Sequence, residues 1–167
     1  MLTAARTSEV INARWGEIDW AAQMWTIPAS RMKGGREHRI PLSVEALAVL
    51  DRMKAASSEL IFQGSEPGRA PGKNALLGLL RRMGHSDITA HGFRSAFRDW
   101  AAELTNFPRE VVEAALAHAI DNKVEAAYRR SDLFEKRRRL MQQWATFCTT
   151  EPTQDQASNV APIRQTS

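Results

Sequence analysis

"EIDWAAQMWTIPASRMKGGREHRIPLS", running from Glu17 to Ser43, holds three short runs of β-formers: Ile18 to Trp20, Met24 to Ile27, and Arg39 to Leu42. Turn-like residues separate them, which predicts three short antiparallel strands. Lys33 immediately precedes Gly34-Gly35, a pair suited to positive φ, so this lysine is expected to project from a mobile β-turn at a hairpin tip. From Val44 onward the period changes to that of a helix. Leu47, Leu50 and Met53 share one face, and after the loop "GSEPGRAPGK" so do Leu76, Leu77, Leu80 and Met83.

The remainder is mainly helical. Phe93, Phe97, Trp100 and Leu104 form one apolar stripe, with His91 and Arg94 on a common flank away from it. Thr89 is a suitable N-cap, and a helix starting there aims free N–H groups toward His91. Pro108 suits the first turn of the next helix, which carries Val111, Val112, Ala115 and Leu116 inward and delivers His118 at its end. Asp121 can cap a short helix that ends near Tyr128. The last helix places Leu133, Phe134, Leu140, Met141, Trp144 and Cys148 at helical spacing, while Lys136 to Arg139 form a basic run that reads as a solvated face or a phosphate contact. The Trp and Phe positions fall on inward stripes and are expected in the core. These elements predict an α+β fold, a mainly helical domain with a small three-stranded antiparallel sheet on one side.

The 167 residues suffice for one core, and 43% apolar with 25% charged residues is ordinary for a globular unit. A formal charge of +4 favours polyanionic partners, nucleic acid first among them. The single cysteine, Cys148, excludes an internal disulfide and a cysteine-type zinc site, and fits a reducing cytoplasm. No stretch suits a membrane span or a secretion signal. "MLTAARTSEV" reads as a chain that starts inside a helix, and so as a fragment of something longer. From residue 150 a polar, proline-containing tail holds too little apolar area to pack and is expected to be disordered. "GRAPGKN" fails as a phosphate loop, because Pro67 takes the place of the first glycine and Asn74 that of the Ser or Thr. ATP binding is not supported, and no metal-ligand cluster appears at recognisable spacing.

Tyr128, the only tyrosine, stands between His118 upstream and Arg129-Arg130 downstream. A packing tyrosine does not need cationic neighbours, whereas a tyrosine that attacks a phosphate does. Taken singly, each candidate has a plainer reading: a surface tyrosine, hydrogen-bonded structural histidines, a solvated turn lysine, and arginines in ion pairs, Arg6 with Glu9 at helical spacing. The conjunction says more. "LTAARTSEV", "RMKGGREHRIPL", "HGFRSAFRDW", "LAHAIDNKVEAAY" and "RRSDLFEKRRRLMQQWA" resemble, in that order, the catalytic domain of tyrosine recombinases, especially the prophage integrases. The resemblance covers nearly everything from Leu2 to Cys148.

It implies that Arg6 and Arg94 are the catalytic arginines, Lys33 the hairpin lysine, His91 the histidine of a His-x-x-Arg pair, His118 the second histidine and Tyr128 the nucleophile, with Glu9 supporting Arg6. The chemistry fits these residue types. Two rigid, permanently charged guanidinium forks can hold the non-bridging oxygens of a pentacoordinate phosphate. Tyr128, with an ordinary phenol pKa near 10, needs proton removal or a positive environment, and His91 is the candidate base. His118 would hold a phosphate oxygen or orient the phenol, and Lys33 would protonate the departing 5′ oxygen. The expected activity is site-specific strand cutting and rejoining during integration and excision, through a covalent 3′-phosphotyrosine, without metal, ATP or other cofactor. The expected partners are double-stranded DNA at attachment sites and further protomers on that DNA, the chain being mainly monomeric in solution and off the membrane, in a bacterial cytoplasm and at the nucleoid. A catalytic domain over residues 1–149, lacking N-terminal DNA-binding domains, would leave open a DNA-binding remnant without recombination activity, or a type IB topoisomerase-like nicking and closing enzyme.

Overall fold

A computed structural model describes residues 1–54, 58–118 and 132–151. Asp121, Tyr128 and the tail from residue 152 onward lie outside the described residues. Helix α1, Thr7–Ile11, leads into three short strands, β1 (Ile18–Asp19), β2 (Met24–Ile27) and β3 (His38–Pro41). They form an antiparallel sheet in the order β1-β2-β3, with Trp25 opposite Ile18 on one side and Ile40 on the other. Five helices follow: α2 (Val44–Met53), α3 (Ala75–Arg82), α4 (Gly92–Leu104), α5 (Arg109–Ala115) and α6 (Phe134–Thr149). This is the α+β arrangement expected, with each strand within two residues of its predicted bounds.

The alternating pattern of β2 buries Trp25 and Ile27 on one face of the sheet. With Ile40, Leu42, Ala46, Leu50 and Ile61 they make a sheet-side apolar cluster that α2 covers. Ser43 starts α2 by accepting the Ala46 N–H on its hydroxyl at 3.2 Å. A second cluster is mainly helical. Phe97, Trp100 and Ala101 of α4 pack with Val111, Val112 and Ala115 of α5, with Leu116 just beyond it, and with Leu140, Met141 and Trp144 of α6. Phe97, Trp100, Trp144 and Phe147 contribute ring contacts with centroids 5.1–6.1 Å apart, in tilted, edge and, for Trp144 with Phe147, stacked geometries.

Several expectations are corrected. The chain does not open inside a helix: residues 2–6 form a turn and extended backbone, and α1 begins at Thr7, with Arg6 in its N-cap position. Leu104 is exposed, and so are Trp20, Met83 and Phe147, so the apolar stripes run past the edge of the core they cover. Arg94 is not on a solvent flank but buried, and Arg137, in the middle of the basic run, is only 2% exposed. Its Nη1 donates to the Arg39 carbonyl at 2.6 Å and its Nη2 to Asp132 Oδ2 at 3.0 Å, fastening α6 to β3. Cys148 is partly buried against the helical cluster, as a small apolar side chain would be.

His38 makes a second tie between the sheet and the helices, its Nε2 lying 3.3 Å from the Ala115 carbonyl. Burial, reinforced by the Arg137 charge, pushes this imidazole down to about 4, although the Ala115 carbonyl opposes the shift. It is therefore neutral at pH 7, with Nε2–H as the donor. A histidine whose pKa is lowered by folding binds its proton more readily when unfolded, so stability falls as pH drops from about 6.5 toward 4. That loss should reach up to about 3 kcal/mol. Thermal melts of wild type and His38→Gln across this range should differ in slope, and parallel curves would refute the assignment.

Candidate active site

Arg6 sits where the extended N-terminal segment enters α1. Glu9, in the first turn, reaches back to it: the Arg6 N–H donates to Oε2 at 2.7 Å and Nη1 donates to Oε1 at 2.8 Å. Glu9 is buried at 3% exposure while Arg6 stays partly open, so one edge of the guanidinium is clamped and the rest is available. The Glu9 carbonyl in turn accepts Arg31 Nη2 at 2.6 Å, and Arg31 is ion-paired to Glu17. Glu17 also takes the Trp25 indole N–H at 2.9 Å. The β2–β3 connection is thereby fastened to α1.

Lys33 lies in that connection, two residues after Arg31. It is exposed, in a turn that follows a short 3-10 segment over Ala29–Arg31. Of the two glycines beside it, only Gly35 adopts positive φ, at +62°. Among the described residues Lys33 has no hydrogen bond or ion pair, which leaves its ammonium free for a ligand.

Helix α4 carries the next pair. Thr89 Oγ1 accepts the Gly92 N–H at 3.1 Å, the predicted capping contact, and Ala90-His91 form the turn between. His91 is exposed at that positive end. One turn further in, the Arg94 guanidinium is buried and donates from Nη1 to the Ala4 carbonyl at 2.6 Å and from Nη2 to the Leu116 carbonyl. No carboxylate lies within ion-pair distance of it among the described residues. Burial first, then the Arg6 charge, draws its pKa down to about 10, against the pull of Glu9 and Glu113, so it stays cationic at neutral pH.

His118 follows α5 after a reversal in which Ala117 takes φ +48°. Its N–H donates to the Glu113 carbonyl at 3.0 Å, closing the helix end, and its Nδ1 lies 2.5 Å from Glu113 Oε2. Burial raises the Glu113 pKa, but the His118 hydrogen bond and the charges of His118, Arg98 and Arg109 outweigh it, and the carboxyl titrates below its ordinary value.

The structure thus brings Arg6 within electrostatic reach of Arg94, and ties Arg94 to the carbonyl two residues before His118. Among the described residues no hydrogen bond or ion pair engages the side chains of Lys33 and His91, which stand at the ends of elements fastened to this group, and Tyr128 lies outside the described residues. Glu113, Arg98, Glu17, Arg31 and His38 escaped the sequence reading. Only Glu113 left a signal there, an acid five residues before a histidine. Chemically, among the described residues one carboxylate, Glu9, is in ion-pair contact with the two guanidinium groups, and it is held by Arg6, so the site is a cationic cradle suited to an oxyanion. An apolar cavity of about 330 Å³, lined by Leu2, Val10, Trp25, Leu42, Leu50 and Phe62 among others, has no charged side chain in its wall. It offers no such chemistry.

Residues 1–134 match the phage integrase family. The prophage integrase IntA of Escherichia coli (strain K12) is 44% identical over 149 residues, covering 87% of this chain and 36% of IntA. The integrase of Shigella phage Sf6 is 34% identical over 150 residues, covering 87% of this chain and 39% of its own length. The chain spans well under half the length of these curated relatives. No solved structure matches it. With residues 1–134 matched, well over half of its length, this chain belongs to the phage integrase family.

Proposed function

We propose that this chain is the catalytic domain of a site-specific DNA recombinase, cutting and rejoining strands through a covalent 3′-phosphotyrosine during integration and excision. The observation that carries this reading is Arg94: a buried guanidinium held by two carbonyls, unmatched by any carboxylate among the described residues, and close enough to Arg6 for the two charges to interact. Such a pair, fixed before the substrate arrives, stabilises charge that develops on the non-bridging oxygens.

In the reaction, Tyr128 Oη attacks the phosphorus and the bond to the 5′ oxygen breaks. The phenolic proton passes to His91, and the Lys33 ammonium donates a proton to the departing oxygen, while His118 holds a phosphate oxygen or orients the phenol. Rejoining is the reverse step with a different 5′ hydroxyl, so the phosphoester energy is conserved and no ATP is required. The substrate is double-stranded DNA at attachment sites in a bacterial cytoplasm, further protomers assemble on it, and the free chain is mainly monomeric.

A second reading, a DNA-binding segment without recombination activity, draws on the same cationic pair, which would hold a phosphate whether or not a strand is cut. A nicked suicide duplex separates the two. The full chain should form an SDS-resistant adduct that Tyr128→Phe abolishes, with or without excess EDTA. Binding without adduct would favour the second reading, and relaxation of supercoiled plasmid without recombinants would indicate nicking and closing instead.

Two further outcomes follow from the assigned roles. Arg94→Lys should slow adduct formation by about 100-fold or more, because a point charge cannot replace the fork. Lys33→Ala should be comparably slow on ordinary DNA yet largely restored on a duplex with sulfur at the 5′ bridging position, since a thiolate leaves without a proton. Absence of that rescue would remove Lys33 from the general-acid role.

A further inference from the structure

The geometry assigns Glu113 as a positioning residue that fixes the ring of His118, with Arg98 holding Glu113 in place; the assignment rests on His118 belonging to the site proposed above. Glu113 grips His118 twice, its carbonyl taking the main-chain N–H at 3.0 Å and its Oε2 lying 2.5 Å from Nδ1. The other carboxylate oxygen, Oε1, lies 3.2 Å from Arg98 Nε. Each oxygen thus has its own partner, the imidazole on one and the Arg98 guanidinium on the other, and rotating the carboxylate would break one of these contacts.

Arg98 stands one turn beyond Arg94 on α4. The same helix therefore holds the α5 terminus at two places: Arg94 at the Leu116 carbonyl and Arg98 at the Glu113 side chain. Ala117, the residue after Leu116, takes φ +48°, and the chain reverses there.

The chemical consequence concerns the imidazole. A carboxylate can only accept, so Nδ1 must carry hydrogen, and Nε2 is the one ring atom left for the phosphate or the phenol. When the ring is neutral, Nε2 presents a lone pair; when it is protonated, Nε2–H is a donor and Glu113 stabilises the cation. A ring without this partner is free to flip and to exchange tautomers, and Nε2 then reaches the substrate only part of the time.

The full chain labelled with ¹⁵N-histidine reads the tautomer directly, with His118→Asn identifying the resonances. At a pH where the ring is neutral, His118 should be protonated on Nδ1, and Glu113→Ala should shift it to the Nε2-protonated form. A wild-type ring protonated mainly on Nε2 overturns the assignment. In single-turnover adduct formation, Glu113→Ala should slow cleavage about tenfold or more and Glu113→Gln, which keeps an acceptor, by less. In a His118→Ala background Glu113→Ala should add no more than about twofold, and a multiplicative loss there would also overturn it. Glu113→Met, which keeps the bulk without a carboxylate or amide acceptor, replaces the alanine variant in both measurements if the latter does not fold. Failure of the wild type to form any adduct counts against the recombinase reading, and the tautomer then decides the Glu113 assignment alone.

Discussion

The Arg94 guanidinium, bonded to the carbonyls of Ala4 and Leu116, is the contact on which the rest of the site depends. Those carbonyls occupy equivalent places in the packing. Ala4 belongs to the helical cluster and Ala5 packs against the sheet-side one; Leu116 belongs to the helical cluster and Ala117 packs against the sheet-side one. Each pair crosses the seam between two cores, and the residue after each pair is a candidate site residue, Arg6 or His118. Ala4 and Ala117 both adopt φ +48°, a left-handed conformation that costs an L-residue about 1–2 kcal/mol. The charged hydrogen bonds to Arg94 are of the size needed to offset it, about 1.5–3 kcal/mol each.

Carbonyl partners rather than carboxylates have a further consequence. A buried arginine paired with an acid is electrically closed, and further negative charge gains little from it. Carbonyl dipoles satisfy N–H groups while leaving the full positive charge in place, so Arg94 remains a cation looking for an anion. Glu9 could have cancelled this, but both its oxygens are engaged by Arg6. The fold thus orders two guanidinium groups with one carboxylate in contact among the described residues, and leaves a residual positive charge suited to an anion. Similar polar ties hold the seam elsewhere: His38 reaches the Ala115 carbonyl, and Arg137 reaches the Arg39 carbonyl with Phe134 beneath the Arg39, Arg137 and Arg138 guanidinium groups at 4.7–5.5 Å. Apolar packing builds each cluster, and hydrogen bonds to main-chain oxygens set how one sits on the other.

This division explains what was legible in the sequence. Periodicity reports which residues face a core, so the three strands, the faces of α2, α4, α5 and α6, and the cap at Thr89 could all be read from spacing. Burial of charge has no period. Arg94 and Arg137 look like surface arginines on their own helices, because the carbonyls that bury them come from segments distant in the chain. The same blindness hid Arg31 and Glu17, whose ion pair spans the sheet connection, and it misread the first residues as helix, where the actual requirement is a carbonyl at Ala4 turned toward Arg94. Motif order identified the family without supplying these partners.

The tether at Arg31 sets what Lys33 can do. A general acid must reach the leaving oxygen in the closed complex, yet an ammonium packed permanently beside Arg6 and Arg94 would be repelled by both and would shed its proton. The fold separates these demands along the chain. Arg31 is anchored to Glu17 and to the Glu9 carbonyl, while Lys33, two residues on, stands exposed before Gly35 at positive φ. Two extended residues span about 7 Å, and the lysine side chain adds a comparable reach. In the proposed reaction the ammonium would enter the cationic cradle beside a bound phosphate and withdraw when the phosphate leaves, while the Arg31 anchor keeps α1 and Arg6 in position.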